Sequence, residues 1–107
     1  MFAQHVKQLS AFSSRSDVAQ YLVGITADVS SRKDSYKRIG FEHFQVLSEG
    51  HGIEDAIALE KALFIHATSD PVLRAKYHEE KRDKPYRAST GGKRGESYAL
   101  YIAGFAP

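Results

Sequence analysis

The order of apolar and polar positions near the start of the chain predicts two strands. Residues 5–12 partly alternate between apolar and polar side chains, which is the period of a half-buried strand. A polar turn over residues 13–17 follows, and residues 18–25 are rich in β-branched and aromatic side chains. We therefore expect a second strand over residues 18–25, paired with the first.

The next stretch predicts a short basic helix and a third strand. Ser31 lies three residues before Asp34, a spacing that resembles a capping box, and the helix is expected to run to about Arg38. Residues 41–47 then place apolar side chains on both faces of an extended segment, which Gly50 ends. This segment is the third predicted strand.

The second half of the chain predicts two helices and a last strand. Apolar side chains recur at helical spacing over residues 53–67 and define a buried stripe. Pro71 is placed as proline prefers at a helix start, and a helix is expected over residues 72–81. Residues 84–95 form a basic loop containing glycine. Residues 97–103 are the last strand, with Tyr98 and Tyr101 as core and rim side chains.

The predicted order is β-β-α-β-α-α-β, an α+β class in which helices cover a small sheet. A chain of 107 residues, 42% hydrophobic and 26% charged, has the size and composition of one globular domain, over residues 1–107. It contains no cysteine, which excludes disulfides, thiolate catalysis and cysteine-based zinc sites. No signal peptide or membrane-spanning segment is recognisable, so a cytoplasmic location is expected.

The basic residues are concentrated in two segments, although the formal net charge is only +2. Ten of the 15 Lys and Arg side chains lie in residues 32–38 and 81–94: Arg32, Lys33, Lys37, Arg38, Lys81, Arg82, Lys84, Arg87, Lys93 and Arg94. Concentrated positive charge is what a phosphate backbone requires, because its neutralisation releases counterions. Two solvated faces that keep the protein soluble are the alternative.

Two charged residues occupy positions that suggest chemistry. Glu60 lies on the apolar stripe of the predicted 53–67 helix, and a buried carboxylate must be paired or must hold a cation. Pairing with an arginine at the edge of the stripe is the structural alternative. Arg32 begins the short basic helix, where a guanidinium can form a forked contact with phosphate. An exposed arginine on a solvated helix is the alternative there.

The segment over residues 21–32, which contains Tyr21, Gly24 and Arg32, resembles the second strand and first helix of the GIY-YIG nucleases. That family shows a tyrosine near a glycine at the end of the strand, and an arginine about eight residues after the glycine. Residues 53–60 resemble its later helix, in which Glu60 would be the metal-binding carboxylate. The resemblance covers about residues 5–67, and residues 68–107 add a helix, the basic loop and the final strand.

The resemblance implies metal-assisted hydrolysis of a phosphodiester bond. Glu60 would hold Mg²⁺ or Mn²⁺, Arg32 would stabilise charge on the scissile phosphate, and Tyr21 would orient or deprotonate the attacking water. Nucleic acid would be the partner, DNA before RNA, with a homodimer or a specificity-giving protein as a further possibility. The residues expected to bind nucleic acid are Gly24, Lys33, Tyr36, Lys37, Lys84, Arg87, Lys93 and Arg94.

The chain departs from the family pattern at its first strand. The family carries a second tyrosine there, and the corresponding position is Ser10. Three readings stay open at this point: Tyr21 acts alone, another group such as His51 substitutes, or cleavage is lost. A nucleic-acid-binding module without catalysis is therefore the alternative function. A protein-interaction domain with an acidic partner is the third.

Overall fold

The computed structural model describes residues 2–89 and 97–107, which form an α+β fold with a small sheet, as predicted; the sheet is antiparallel and has three strands. Among these residues no helix is long and apolar enough to cross a membrane. The elements, in chain order, are α1 (Phe2–Ser13), β1 (Gln20–Thr26), α2 (Val29–Arg38), β2 (His43–His51), α3 (Ile53–Ser69), α4 (Pro71–Ala75), α5 (Glu79–Arg82) and β3 (Tyr98–Phe105).

The last strand of the chain lies in the middle of the sheet. The strand order is β1-β3-β2, and β3 is antiparallel to both neighbours. Every β3 residue except Phe105 is buried, which explains why the segment is almost continuously apolar. In this register Tyr101 stands opposite Gly24 on one side and Val46 on the other. These three residues therefore share one face of the sheet.

The first predicted strand is wrong, because residues 5–12 belong to helix α1. The buried side chains of α1 include His5, Leu9 and Phe12, separated by four and three residues. That spacing is the period of a helix, and it outweighs the partial alternation of the same segment. Since α1 is a helix, β1 pairs with β3 instead of with the first segment.

The short basic helix and the third strand are both present, with shifted details. The side chain of Asp28, not Ser31, caps α2 by accepting a hydrogen bond from the backbone N–H of Ser31. Strand β2 begins at His43 and continues past the predicted end, through two shifts of register on β3 after Val46.

The apolar stripe of residues 53–67 is confirmed in α3, but the helix predicted over 72–81 is broken. It forms two short helices, α4 and α5, on either side of Tyr77. The break has a cause in the sheet, since β1 is an edge strand with unpaired backbone groups. The N–H of Tyr21 donates to the carbonyl of Lys76 at 2.9 Å, and the N–H of His78 donates to that of Tyr21 at 2.8 Å. Extended backbone at Tyr77 thus covers the edge.

If α1 packs on the core through its helical stripe, Leu9→Ala should lower the free energy of unfolding by about 2–5 kcal/mol. Leu9 is fully buried, whereas Lys7 on the same helix is exposed. Lys7→Ala is therefore the matched control and should change stability by less than about 0.5 kcal/mol. Urea unfolding of the two variants measures the difference. Equal effects would show that α1 does not pack as described.

Candidate functional site

Arg32 and two tyrosines form a hydrogen-bonded group on one face of the sheet, which we call the phenol cluster (Arg32, Tyr36 and Tyr101). Arg32 Nη1 donates to the Tyr101 hydroxyl at 2.6 Å, and the Tyr36 and Tyr101 hydroxyls are 3.0 Å apart. The guanidinium carbon lies 5.7 Å from the Tyr36 ring centre and 5.8 Å from that of Tyr101. Strand β3 thus fixes the direction of an arginine side chain carried by α2.

Gly24 makes the phenol cluster possible. A Cβ atom at this position would overlap the hydroxyl and ring of Tyr101, which crosses β1 at the glycine. On β2, Phe44 stacks on the same ring with centres 4.7 Å apart and planes at 19°. Gly24 was among the residues expected to bind nucleic acid, and in the structure the side chain of Tyr101 fills the space beside it.

Arg32 is half-buried, and no carboxylate among the described residues forms an ion pair with it. A guanidinium has five N–H donors in a fixed fork, so the hydrogen bond to Tyr101 leaves others for an anion. Burial raises the pKa of Tyr101, Tyr36 raises it further, and the positive charge of Arg32 opposes the shift. Tyr101 therefore stays protonated and acts as an orienting hydroxyl.

Tyr21 lies on the opposite face of the sheet from the phenol cluster. It is three positions from Gly24, and side chains an odd number of positions apart on a strand point to opposite faces. Its hydroxyl donates to the carbonyl of Leu73 at 2.8 Å, and its ring meets Tyr77 edge-on at 5.1 Å. Burial, followed by Tyr77, raises its pKa. The structure does not bring Tyr21 to Arg32.

Glu60 is 2% exposed on α3 and is surrounded by hydroxyl and amide donors from the segment that follows α5. Its Oε1 accepts from the Tyr86 hydroxyl at 2.5 Å and from the Ser89 N–H at 3.2 Å. Its Oε2 accepts from the Ser89 hydroxyl. We call these three residues the Glu60 network. The arginine partner considered from the sequence is not found among the described residues.

The Glu60 network also contacts the edge of β1, the strand that carries Gly24. The N–H of Ile25 donates to the Ser89 hydroxyl at 3.2 Å, and the N–H of Val23 donates to the Tyr77 hydroxyl at 3.3 Å. Burial raises the pKa of Tyr77, although the hydrogen bond from the Val23 N–H lowers it. Glu60 and Tyr36 both raise it further. The Tyr77 hydroxyl therefore lies close enough to Glu60 and to Tyr36 for both to affect its pKa.

Glu60 is the one carboxylate of its network that could contribute to a cation site. No group of three or more His, Cys, Asp or Glu in the described part of the chain could hold a metal. A carboxylate has about four acceptor positions, and Oε1 receives two hydrogen bonds here while Oε2 receives one. One position on Oε2 remains, and Mg²⁺ is commonly bound through one or two carboxylates together with phosphates and waters.

The other residues expected to bind nucleic acid fall into three groups. Lys33 and Lys37 are exposed on α2, the helix that carries Arg32, and Tyr36 belongs to the phenol cluster. Lys84 and Arg87 are exposed beside the Glu60 network. Lys93 and Arg94 lie outside the described residues.

His51, considered as a substitute base, ends β2 with its Nε2 2.7 Å from the Ser48 hydroxyl.

Tyr101 is the site residue that sequence reasoning missed. It was interpreted as a core or rim side chain of the last strand, because a tyrosine inside an apolar strand usually packs in the core. Only the pairing of β3 with β1 brings it to Gly24 and Arg32. The one local signal was a phenol within a strand that is otherwise buried and apolar. A buried phenol hydroxyl requires a hydrogen-bond partner.

The fold and the candidate site together define a small α+β protein with an arginine–phenol cluster and a buried carboxylate. No protein family, curated protein or solved structure matches the chain.

The contact between Gly24 and Tyr101 predicts a non-additive pair of substitutions. Gly24→Ala should destabilise the fold by about 1–3 kcal/mol, because the new methyl group overlaps the tyrosine. In the Tyr101→Ala background the overlap disappears, so the same substitution should cost at least about 0.5 kcal/mol less. Denaturant unfolding of the two single variants and the double variant measures the coupling. Strict additivity would show that the two residues do not touch.

Proposed function

We propose that this chain is a minimal GIY-YIG-like nuclease that hydrolyses phosphodiester bonds of nucleic acid, DNA before RNA, with Mg²⁺ or Mn²⁺. The observation that carries the proposal is the half-buried Arg32, which has no carboxylate partner among the described residues. The phenol cluster orients it, and the exposed Lys33 and Lys37 stand on the same helix. Such an arrangement suits an anion with two or more oxygens.

In this proposal, Tyr101 takes the place of the tyrosine that the first segment lacks. The family pattern expects that tyrosine on the first strand, where this chain has Ser10 in a helix. Strand β3 is the neighbour of β1 in the sheet and delivers a hydroxyl to Arg32. Tyr21 takes no part, because its buried hydroxyl already donates to Leu73.

The proposed chemistry divides between the two clusters. Arg32, held by Tyr101, binds non-bridging oxygens of the scissile phosphate and stabilises the negative charge that grows as water attacks phosphorus. The P–O bond to the leaving nucleotide breaks as the new P–O bond forms, and the proton of the water passes through solvent to the leaving oxygen. The Tyr36 hydroxyl forms a hydrogen bond with the Tyr101 hydroxyl and so fixes the position of that phenol. Glu60 holds the divalent ion, with Tyr86 and Ser89 keeping its carboxylate in place. When bound, the ion supplies positive charge and lowers the pKa of a bound water.

A catalytically inactive nucleic-acid-binding module on the same scaffold is the second candidate. It is favoured by the three hydrogen bonds that Glu60 already accepts, which give this carboxylate a structural role in anchoring the segment at Tyr86 and Ser89. The raised pKa of Tyr101 and of Tyr21 also leaves neither phenol as a base. A domain that binds an acidic protein is the third candidate.

Turnover of labelled single-stranded, double-stranded and branched DNA, and of RNA, with Mg²⁺ separates these functions. Glu60→Gln should lower the cleavage rate by about a hundredfold or more, because the carboxylate charge that holds the ion is lost. Glu54→Gln is the matched control, since Glu54 is exposed in the first turn of the same helix and should cleave at the wild-type rate.

Two other outcomes would contradict the nuclease proposal. Binding of nucleic acid that weakens steeply with salt, without cleavage by the wild-type chain, would establish the inactive module. Salt-sensitive binding of an acidic protein, with no affinity for DNA or RNA, would establish the interaction domain.

A further inference from the structure

A cavity of about 670 Å³ lies beside the Glu60 network. Its walls come from the edge of β1, from α3 and from the chain over residues 80–89. The volume lies within the range of about 300–1,000 Å³ that small-molecule sites occupy. It is far larger than one metal ion requires, so a cation at Glu60 does not by itself account for it.

Aromatic rings form the inner wall of this cavity. Phe64 is half-buried on α3, with its ring centre 5.5 Å from Tyr77 and 5.7 Å from Tyr86. The Tyr77 contact is edge-on at 85° and the Tyr86 contact is tilted at 56°. Val23 and Pro85 add apolar surface. The half-buried rings of Phe64 and Tyr86 thus give the cavity an aromatic wall, against which a planar ring can pack.

The rim of the cavity is basic. Lys81, Lys84 and Arg87 are exposed there, against one exposed carboxylate among the described lining residues, that of Glu80. The other carboxylate of the lining, Glu60, is buried and already accepts hydrogen bonds from Tyr86 and Ser89. The site thus combines an aromatic interior with a cationic entrance. A ligand that matches both has a planar ring at one end and a negative charge at the other.

We propose that this cavity binds one unstacked nucleotide of a single strand, with its base against Phe64 and Tyr86 and its phosphate at Lys84 and Arg87. A base within a continuous duplex is stacked on both sides and cannot enter a cavity without being extruded, at a cost of a few kcal/mol. The proposal rests on the proposed function and narrows its substrate to single-stranded or branched nucleic acid. An acidic peptide matches the cationic rim but not the aromatic wall.

The test is a metal-free NMR titration with thymidine 5′-monophosphate, which requires no turnover. Saturable shifts are expected for the amides of Val23, Phe64 and Ala88, which line the cavity. Phe64→Leu should weaken binding about tenfold, as expected for the loss of one base–aromatic contact. Lys84→Ala, an exposed substitution that leaves the core intact, should weaken it several-fold. Lys61→Ala, exposed on α3 and outside the cavity, is the matched control and should bind within about twofold of wild type.

Three results would overturn the proposal: no shifts at the cavity, equal binding of deoxyribose 5-phosphate (which has no base), or stronger binding of a glutamate-rich peptide. Equal affinity for a continuous duplex and a single-stranded oligonucleotide would also overturn it. The outcome is separable from that of the nuclease proposal. Cleavage without nucleotide binding at the cavity would remove only this inference, and nucleotide binding without cleavage would remove only the nuclease.

Discussion

The register between β3 and β1 is the constraint on which the candidate site depends. It places Tyr101 opposite Gly24, and the missing Cβ of that glycine lets the phenol cross the strand and meet Arg32. A slip of one residue would turn Tyr101 to the other face of the sheet and leave the half-buried guanidinium without its hydroxyl partner. Because β3 is hydrogen-bonded on both sides and buried along almost its whole length, this register is strongly fixed.

The second constraint is the edge of β1, which the protein covers instead of leaving open. Backbone around Tyr77 pairs with Tyr21, and the hydroxyls of Tyr77 and Ser89 accept from the next two outward-facing N–H groups of the strand. Ser89 also donates to Glu60, so the buried carboxylate and the strand edge share one partner. The carboxylate buried on α3 is thus satisfied by hydrogen bonds, and one of its donors, Ser89, also closes the sheet edge.

The elements with a clear period could be predicted from the sequence, and those that depend on distant partners could not. The helical stripe of α3 and the apolar run of β3 were both recognised, and Glu60 was identified because it interrupts the stripe. The first segment was misassigned, since its alternation is partial while its spacing of buried residues is helical. Which tyrosine meets Arg32 depends on strand pairing across more than 60 residues, and so the contact with Tyr101 could not be predicted from the sequence.

The most direct measurement of the central claim is the cleavage rate of Tyr101→Phe beside that of Tyr98→Phe. Both substitutions remove one phenol hydroxyl from β3, but Tyr98 is three positions away and on the opposite face. Tyr101→Phe should bind DNA normally and cleave it about tenfold to a hundredfold more slowly, because Arg32 loses the group that orients it. Tyr98→Phe, which removes a hydroxyl on the other face, should slow cleavage less than Tyr101→Phe does. Equal rates for Tyr101→Phe and the wild-type chain would contradict the account.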